Sequence, residues 1–236
     1  TFLALRHGLT ARECVIPEPT GLAVIPANAG SLTFRISLHG EAAHGAMPWD
    51  GRNALDELPA VLHRLRDLQS ARNQDVPEVL AAWPLAFPIS IGRIDGGDWP
   101  STVMAHVHLE GRYGVRLDES LQTAAHVFEE ALAGSGAEVS WFGGRFAAAA
   151  LEAGHPLVGH LSAAHRRVVG ADPAVVGATY GSDLRQMLAA GIPTVQYGPG
   201  DVRLAHSSTE SVPLEQVRQC RDVLEAWLRG PSILDR

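Results

Sequence analysis

The sequence predicts an α/β protein built from two units, one of which interrupts the other. Six elements in the order β-α-β-β-α-β fill residues 30 to 143, and that order is the ferredoxin-like pattern. On either side of this block, short apolar strands alternate with helices, which favours a mostly parallel sheet. We therefore expect an α/β domain of residues 1–29 and 144–236 that is interrupted by a ferredoxin-like domain of residues 30–143.

The block opens with a strand and a helix. Residues 31–39, "SLTFRISLH", alternate apolar and polar side chains, the period of a strand with one buried face. Residues 53–65 then place leucines at helical spacing. Pro59 lacks a backbone N–H, so we expect it to kink or restart that helix.

The second half of the block repeats the pattern. Residues 87–94 and 102–111 read as strands, and "DGGDWPS" between them reads as a turn. Asp118 stands where a helix cap would, ahead of an apolar run at helical spacing. Residues 137–142, "AEVSWF", predict the last strand of the block.

Outside the block the sequence predicts strands and helices in alternation. Pro156 and Gly170 bracket one of the helices, as the usual preferences at helix ends require. The expected elements are the end of a helix at 1–9, a short strand in "ECVIPEP", helices at 156–169, 182–190 and 213–228, and a strand at 193–197.

Composition excludes several classes of function. All 19 basic residues are arginine, so a phosphate-loop lysine or a lysine Schiff base is excluded within this chain. A net charge of −7 with scattered arginines argues against nucleic-acid and membrane-surface binding. Cys14 and Cys220 stand far apart without a CxxC partner, and no apolar run or signal peptide is evident. We therefore expect a cytoplasmic protein with a small-molecule substrate.

Polar side chains that are able to carry chemistry fall at five loop-like places. They are Glu18 in "PEPTG", His44 in "GEAAHGAMPWDG", Arg112 in "LEGRYG", Arg185 in "YGSDLR" and His206 in "GPGDVRLAHSSTE". Loops at strand ends are positioned by a rigid sheet and often expose functional groups. Taken singly, each of these residues is as well explained by an ordinary surface charge.

Taken together, these stretches resemble a known family. "EPTGLAVIPANAGSLTFRISLHGEAAHGAMPWDGRNAL" and "SDLRQMLAAGIPTVQYGPGDVRLAHSSTESVPL" are similar to the co-catalytic zinc aminoacylases and carboxypeptidases. That family includes acetylornithine deacetylase, succinyl-diaminopimelate desuccinylase and carboxypeptidase G. The stretch "GRIDGGDWPSTV" looks closest to the acetylornithine deacetylase-like branch.

The resemblance implies hydrolysis of the amide bond of N-acyl amino acids by a pair of zinc ions, with cobalt or manganese as alternatives. Glu18 matches a ligand of one ion and His206 a ligand of the other. His44 matches a histidine that a neighbouring subunit lends as an oxyanion donor. The resemblance thus also implies a homodimer formed through the inserted domain.

For the substrate carboxylate, the resemblance implies an arginine of the inserted domain, which Arg112 matches; Arg185 is the alternative. A guanidinium fits a carboxylate with two parallel hydrogen bonds. Backbone N–H groups of the turn from Gly198 to Gly200 would approach the same ligand.

The chain also departs from the family's pattern. The family's His-x-Asp and Glu-Glu segments, which give further ligands and the general base, do not occur in this sequence; its one Glu-Glu pair falls in a predicted helix. Where the family often has an asparagine, this chain has "STV". We therefore expect the chain to be a downstream part of such an enzyme and to be inactive by itself. The alternatives are a catalytically silent chain for dimerisation or partner binding, and a mononuclear hydrolase that uses His206 with Glu210.

Overall fold

The computed structural model describes residues 1–205 and 207–230. The chain forms two compact units. Residues 1–28 and 149–236 make one, which we call the flanking unit, and residues 29–148 make the other, the inserted unit.

The helices and strands of the two units follow in chain order. They are α1 (Phe2–Arg6), β1 (Cys14–Ile16), β2 (Ala27–Asn28), β3 (Gly30–His39), α2 (Leu58–Arg72), β4 (Ile89–Gly96), β5 (His106–Val115), α3 (Leu121–Leu132), β6 (Glu138–Phe146), β7 (Ala149–Ala150), α4 (Pro156–Val169), α5 (Leu184–Ala189), β8 (Thr194–Gln196) and α6 (Leu214–Leu228). The α/β class that the sequence predicts is confirmed.

The flanking unit is organised around a parallel pair of strands. β1 pairs with β8 in parallel, with Cys14 opposite Thr194 and Ile16 opposite Gln196. β2 and β7 form a separate antiparallel pair. The apolar faces of α4 and α6 pack on Val195 of β8, so one parallel pair is fixed from one side by two helices.

The inserted unit is a four-stranded antiparallel sheet with two helices. Its strand order is β4-β5-β3-β6. Along β3 every second side chain is buried, from Leu32 to Leu38, because these side chains face α2 and α3 in one apolar core. The other face of the sheet carries the alternate, polar residues.

Two local predictions in the inserted unit have different outcomes: the cap of α3 is corrected, and a restart of the helix at Pro59 is confirmed. The cap of α3 is Ser120, whose hydroxyl accepts a hydrogen bond from Thr123 N. Asp118 instead binds Arg116, because an arginine two residues away offers the carboxylate a stronger, charged partner. Pro59 lies in the first turn of α2, where its missing N–H costs nothing, and a short 3₁₀ turn (Ala54–Glu57) precedes it. Pro59 therefore restarts the helix and does not kink it.

The strand predicted at 102–111 also begins later, at His106. Thr102 and Val103 bind a different partner, the backbone of Ala43 and His44. Tertiary pairing with that loop thus takes the first residues out of the strand.

Two further observations concern the helices and the cysteines. None of the helices within residues 1–205 and 207–230 combines the length and apolarity that a membrane crossing requires. Cys14 is half-buried, Cys220 is buried, and both are free thiols.

We expect Arg72→Met to lower the free energy of unfolding by about 3 kcal/mol, the cost of breaking a buried ion pair. Arg72 is buried, binds the Glu119 carboxylate and Gly114 O, and lies with its Cζ 4.5 Å from the ring centre of Tyr113. The substitution leaves Glu119, whose side chain is 10% exposed, without its Arg72 partner. Urea denaturation followed by circular dichroism measures the change.

The matched control is Arg66→Met, an exposed arginine on the same helix, for which we expect a change within about 0.5 kcal/mol. Equal effects of the two substitutions would mean that the ion pair does not stabilise the unit.

Candidate functional site

Glu18 lies just past the carboxyl end of β1, and Gly198 lies just past that of the neighbouring β8. The two segments touch. A Cβ atom on Gly198 would stand 2.4 Å from Glu18 O and 2.8 Å from Pro17 C, so only glycine allows this approach. Glu18 is half-buried. The carboxylate is therefore carried by a backbone that a neighbouring strand fixes in place.

Thr20 ties the two loops together. Its hydroxyl accepts a hydrogen bond from Gly198 N at 3.0 Å and donates to Ala23 O at 2.7 Å. Gly21 N donates to Gly200 O at 2.7 Å. Gly200 has φ +91°, and its N–H donates to Gln216 Oε1 at 2.8 Å. The N–H groups of Gly198 and Gly200 are thus already bonded within the unit, and a ligand would use them only by displacing Thr20 or Gln216.

Tyr180 is a residue of this region that the sequence analysis did not single out. Burial, together with the charge of Glu18, raises the pKa of Tyr180 to about 12. The phenol is therefore protonated at neutral pH and available as a hydrogen-bond donor near the Glu18 carboxylate. Its only sequence signal is the "TYGSD" stretch just before α5.

Gln196 is a second residue that sequence reasoning missed. It is the last residue of β8 and is fully buried. Neither Oε1 nor Nε2 of its side chain has a hydrogen-bond partner among the described residues. Since buried amides are normally hydrogen-bonded, Gln196 is a further polar group of the flanking unit, on the strand that leads to Gly198.

Of the other two predicted residues of the flanking unit, the structure describes Arg185 alone. His206 lies outside the described residues. Arg185 is in the first turn of α5, half-buried, and its Nη1 donates to Ser182 O at 2.9 Å. That bond secures the side chain to the start of its own helix.

A zinc site needs several ligands close together, about three from the protein in a catalytic site. Glu18 offers a carboxylate, a donor that zinc accepts. Within residues 1–205 and 207–230, however, no group of three or more His, Cys, Asp and Glu side chains is placed to hold a metal ion. The described residues alone therefore do not build a complete zinc site, and Glu18 is the one predicted ligand that the structure places.

In the inserted unit, His44 lies in the loop between β3 and α2. A backbone bridge to Thr102 fixes the loop, and Gly45 N donates to Ser101 O at 2.7 Å. The Nδ1 atom of His44 accepts a hydrogen bond from Ala46 N at 3.1 Å. A neutral imidazole that accepts at Nδ1 carries its proton on Nε2. His44 is exposed, so it presents an Nε2–H donor outward.

Two large apolar side chains near His44 in the sequence or in its pairing segment are exposed. Trp49, on the same loop as His44, is 75% exposed. Trp99, on the segment whose Thr102 pairs with His44, is 67% exposed. Thr102 of the "STV" stretch is the residue bridged to His44, so this departure from the family's pattern lies directly beside the predicted oxyanion donor.

Arg112 lies on β5 between Thr33 of β3 and Ser90 of β4. It is half-buried, and burial lowers the pKa of its guanidinium. His106 lies six residues away on β5, at the end of the sheet where the His44 loop begins. At the usual rise of a strand, six residues span roughly 20 Å. The structure thus does not bring His44 and Arg112 of one chain together.

Comparison with known proteins gives a family match over most of the chain. Residues 4–230 match the model of peptidase family M20/M25/M40. A putative succinyl-diaminopimelate desuccinylase of Mycobacterium tuberculosis is 30% identical over 223 residues, which are 94% of this chain and 59% of that protein. Acetylornithine deacetylase of Myxococcus xanthus is 24% identical, over 91% of this chain and 56% of that protein. The chain therefore spans somewhat more than half the length of these curated relatives.

Solved structures agree on the fold. An M20 family metallo-carboxypeptidase of Sulfolobus solfataricus has a TM-score of 0.72 at 14% identity, over 94% of this chain and 64% of that one. The aminopeptidase PepT of Bacillus cereus has a TM-score of 0.70 at 18% identity, over 94% of this chain and 58% of that one. At these identities the likeness supports the fold alone.

Proposed function

The chain belongs to peptidase family M20/M25/M40, and from that premise we propose that it contributes to a metal-dependent hydrolase of the amide bond of N-acyl amino acids. The observation that carries the proposal is the junction of Glu18 with the loop of Gly198 to Gly200 at the carboxyl ends of β1 and β8. Two relatives are named for removing acyl groups from amino acids. Family membership does not by itself fix a substrate, so the proposal depends on the site residues.

In this proposal Glu18 holds one zinc ion and His206 the other, with cobalt or manganese as alternatives. When bound, the metal would act as a Lewis acid on the scissile carbonyl. The fixed backbone of Glu18 suits a ligand, because a ligand that is already oriented loses little freedom on binding. Tyr180 would support the site as a neutral donor beside the Glu18 carboxylate.

His44 has the role of oxyanion donor. As the amide carbonyl is attacked, negative charge develops on its oxygen, and a fixed N–H at that point stabilises the transition state more than the substrate. The bond from Ala46 N to His44 Nδ1 sets the tautomer that this role requires. His44 therefore needs no proton uptake to donate from Nε2.

We propose that His44 serves the site of a second copy of the chain. Its separation from Arg112 along the sheet favours different sites for the two residues. Trp49 on the His44 loop and Trp99 on the segment that pairs with it are both exposed, and exposed large apolar side chains are of the kind that protein contacts cover. The inserted unit would then be a ferredoxin-like dimerisation domain, and its edge strand β4 offers unpaired backbone groups to a twin.

Arg112 binds the carboxylate of the substrate in this proposal, and Arg185 is the alternative for the same task. The amide of Gly200 could contact that ligand only by leaving Gln216 Oε1. We expect Arg112→Lys, in a catalytically active protein that contains this chain, to raise KM about tenfold or more with little change in kcat. Lysine keeps the charge and can still donate one hydrogen bond, so the substitution removes about one of the two parallel bonds, worth about 1.5 to 3 kcal/mol to a charged partner. Steady-state kinetics on an N-acyl amino acid measures the split.

The matched control is the same substrate with its carboxylate amidated. The two enzymes should then differ little in KM, since Arg112 has no carboxylate to bind. A KM effect of the same size on both substrates would contradict the assignment.

The experiment that tests the proposal is a hydrolysis screen of N-acetyl, N-succinyl and N-formyl amino acids with Zn²⁺, Co²⁺ or Mn²⁺ added. We expect a protein that contains this chain and the family's remaining zinc ligands to hydrolyse one of these classes. Residues 1–236 by themselves should hydrolyse none. Activity of the 236-residue chain alone would contradict the second expectation.

The second candidate function is a catalytically silent chain that dimerises or binds a partner. The exposure of Trp49 and Trp99 fits either function. A dimer by light scattering, with no hydrolysis by the longer protein under any metal, would decide for the silent chain.

A further inference from the structure

Two segments of the inserted unit, residues 43–50 and 97–103, lie against each other, and we call them the paired loops. A backbone bridge joins His44 of the first loop to Thr102 of the second. A Cβ atom on Gly45 would stand 2.7 Å from a backbone oxygen of the second loop, so the two backbones are in close contact. Side chains on the paired loops are therefore carried by a fixed backbone.

The two most exposed large apolar side chains of the inserted unit stand on the paired loops. They are Trp49 on the first loop and Trp99 on the second. Met47 on the first loop is exposed as well. Apolar side chains that fall singly on a surface need no explanation, but a group of them on one fixed element marks a binding surface.

Turn geometry keeps both tryptophans close to His44. Met47 N donates to His44 O and closes one turn, and Trp49 follows two residues later. Thr102 N donates to Trp99 O and closes another, and Thr102 is itself paired with His44. The Cα atoms at the two ends of a turn lie within about 7 Å of each other, and those of paired residues within about 5.5 Å. Since two residues span at most about 7 Å, both tryptophan Cα atoms lie within about 14 Å of that of His44.

The charges on the paired loops have one sign. The loops carry two exposed aspartates, Asp50 and Asp98, and no arginine. Arg52, the arginine nearest to His44 in the sequence, donates to His39 O at 3.1 Å. An anionic ligand group at the paired loops would therefore meet like charge, which opposes binding.

The role proposed for His44 brings the acyl group of the substrate to the paired loops. Its Nε2–H would lie about 2.7 to 3.1 Å from the carbonyl oxygen in the transition state, and the acyl group is bonded to that carbonyl carbon. The first atoms of the acyl group thus lie within a few ångströms of the imidazole. An apolar acyl group would remove indole surface from water, whereas a succinyl group would bring its carboxylate towards two aspartates.

We propose that Trp49 and Trp99 select the acyl group, and that the preferred substrate carries a neutral, bulky, apolar acyl group such as phenylacetyl. This inference rests on the proposed function and on the role of His44 in it. It separates the chain from its Mycobacterium tuberculosis relative, which is named for removing a succinyl group. Met47 has a flexible thioether side chain, which adapts to apolar groups of different shape.

The test compares N-phenylacetyl, N-acetyl and N-succinyl forms of one amino acid. A catalytically active protein that contains this chain should have its highest kcat/KM on the phenylacetyl substrate and its lowest on the succinyl substrate. Trp49→Ala and Trp99→Ala should each lower kcat/KM on the phenylacetyl substrate about tenfold, the size expected for a lost aromatic contact and the area it buries. On the acetyl substrate, which is too small to cover an indole, the loss should stay below about twofold.

The matched control is Leu228→Ala, which removes a side chain of the flanking unit that is exposed nearly as fully as Trp49. It should change kcat/KM on none of the substrates. Light scattering should give a dimer for every variant, since the proposed dimer pairs through β4.

Three results would overturn the inference and leave the proposed function intact. They are a preference for the succinyl substrate, equal losses on the phenylacetyl and acetyl substrates, and dissociation of the tryptophan variants, which would mean that the indoles hold the copies together. Hydrolysis of no N-acyl amino acid at all would overturn the proposed function and this inference with it.

Discussion

Glu18→Ala should lower kcat/KM by more than about a hundredfold in a catalytically active protein that contains this chain. Loss of a residue that merely orients a metal ligand already costs tenfold to about a hundredfold, and Glu18 is proposed as a ligand itself. Among the described residues, no group of three or more His, Cys, Asp and Glu side chains is placed to hold the metal ion in its stead. Elemental analysis should find one metal ion fewer per chain.

The matched control is Glu152→Ala, which removes an exposed loop carboxylate of the same unit. It should leave both kcat/KM and metal content unchanged. Full metal content in the Glu18→Ala protein would contradict the ligand assignment, even if activity fell.

His44→Ala should lower kcat about a hundredfold or more, the usual cost of losing one oxyanion donor. KM and metal content should stay close to their original values, because the donated hydrogen bond strengthens only as charge develops on the carbonyl oxygen. Steady-state kinetics and elemental analysis on the same sample measure all three quantities.

The control for this substitution is His63→Ala, which removes an exposed histidine of α2 in the same unit. Its kinetics should match those of the unsubstituted protein. A fall in metal content with His44→Ala would place His44 among the metal ligands and contradict its role as a donor.

Strand and helix positions follow largely from local patterns in the sequence. The alternation along β3 is visible without a structure, because one face of that strand packs on two helices. The bounds of α4 match the prediction, since Pro156 and Gly170 mark both ends. Where two local signals competed, as for the cap of α3, the sequence pointed to Asp118 and the structure uses Ser120.

The contacts around Glu18 could not be predicted from the sequence. Glu18 and Gly198 lie 180 positions apart in the sequence, and their contact depends on the pairing of β1 with β8. Tyr180 joins the candidate site only through that tertiary arrangement, so no local period or motif marks it. The tautomer of His44, in contrast, follows from a hydrogen bond donated by Ala46 N, two positions away. A contact this local is within reach of prediction from the sequence.

The most direct test of the shared site is complementation between two inactive variants, His44→Ala and His206→Ala, in a catalytically active protein that contains this chain. If His44 acts on the neighbouring copy, each mixed dimer rebuilds one intact site. An equal mixture after subunit exchange should then recover about a quarter of the original activity, because half of the dimers are mixed and half of their sites are intact. If His44 acts within its own chain, every site keeps one defect. No recovery after exchange is confirmed by mass spectrometry would contradict the shared site.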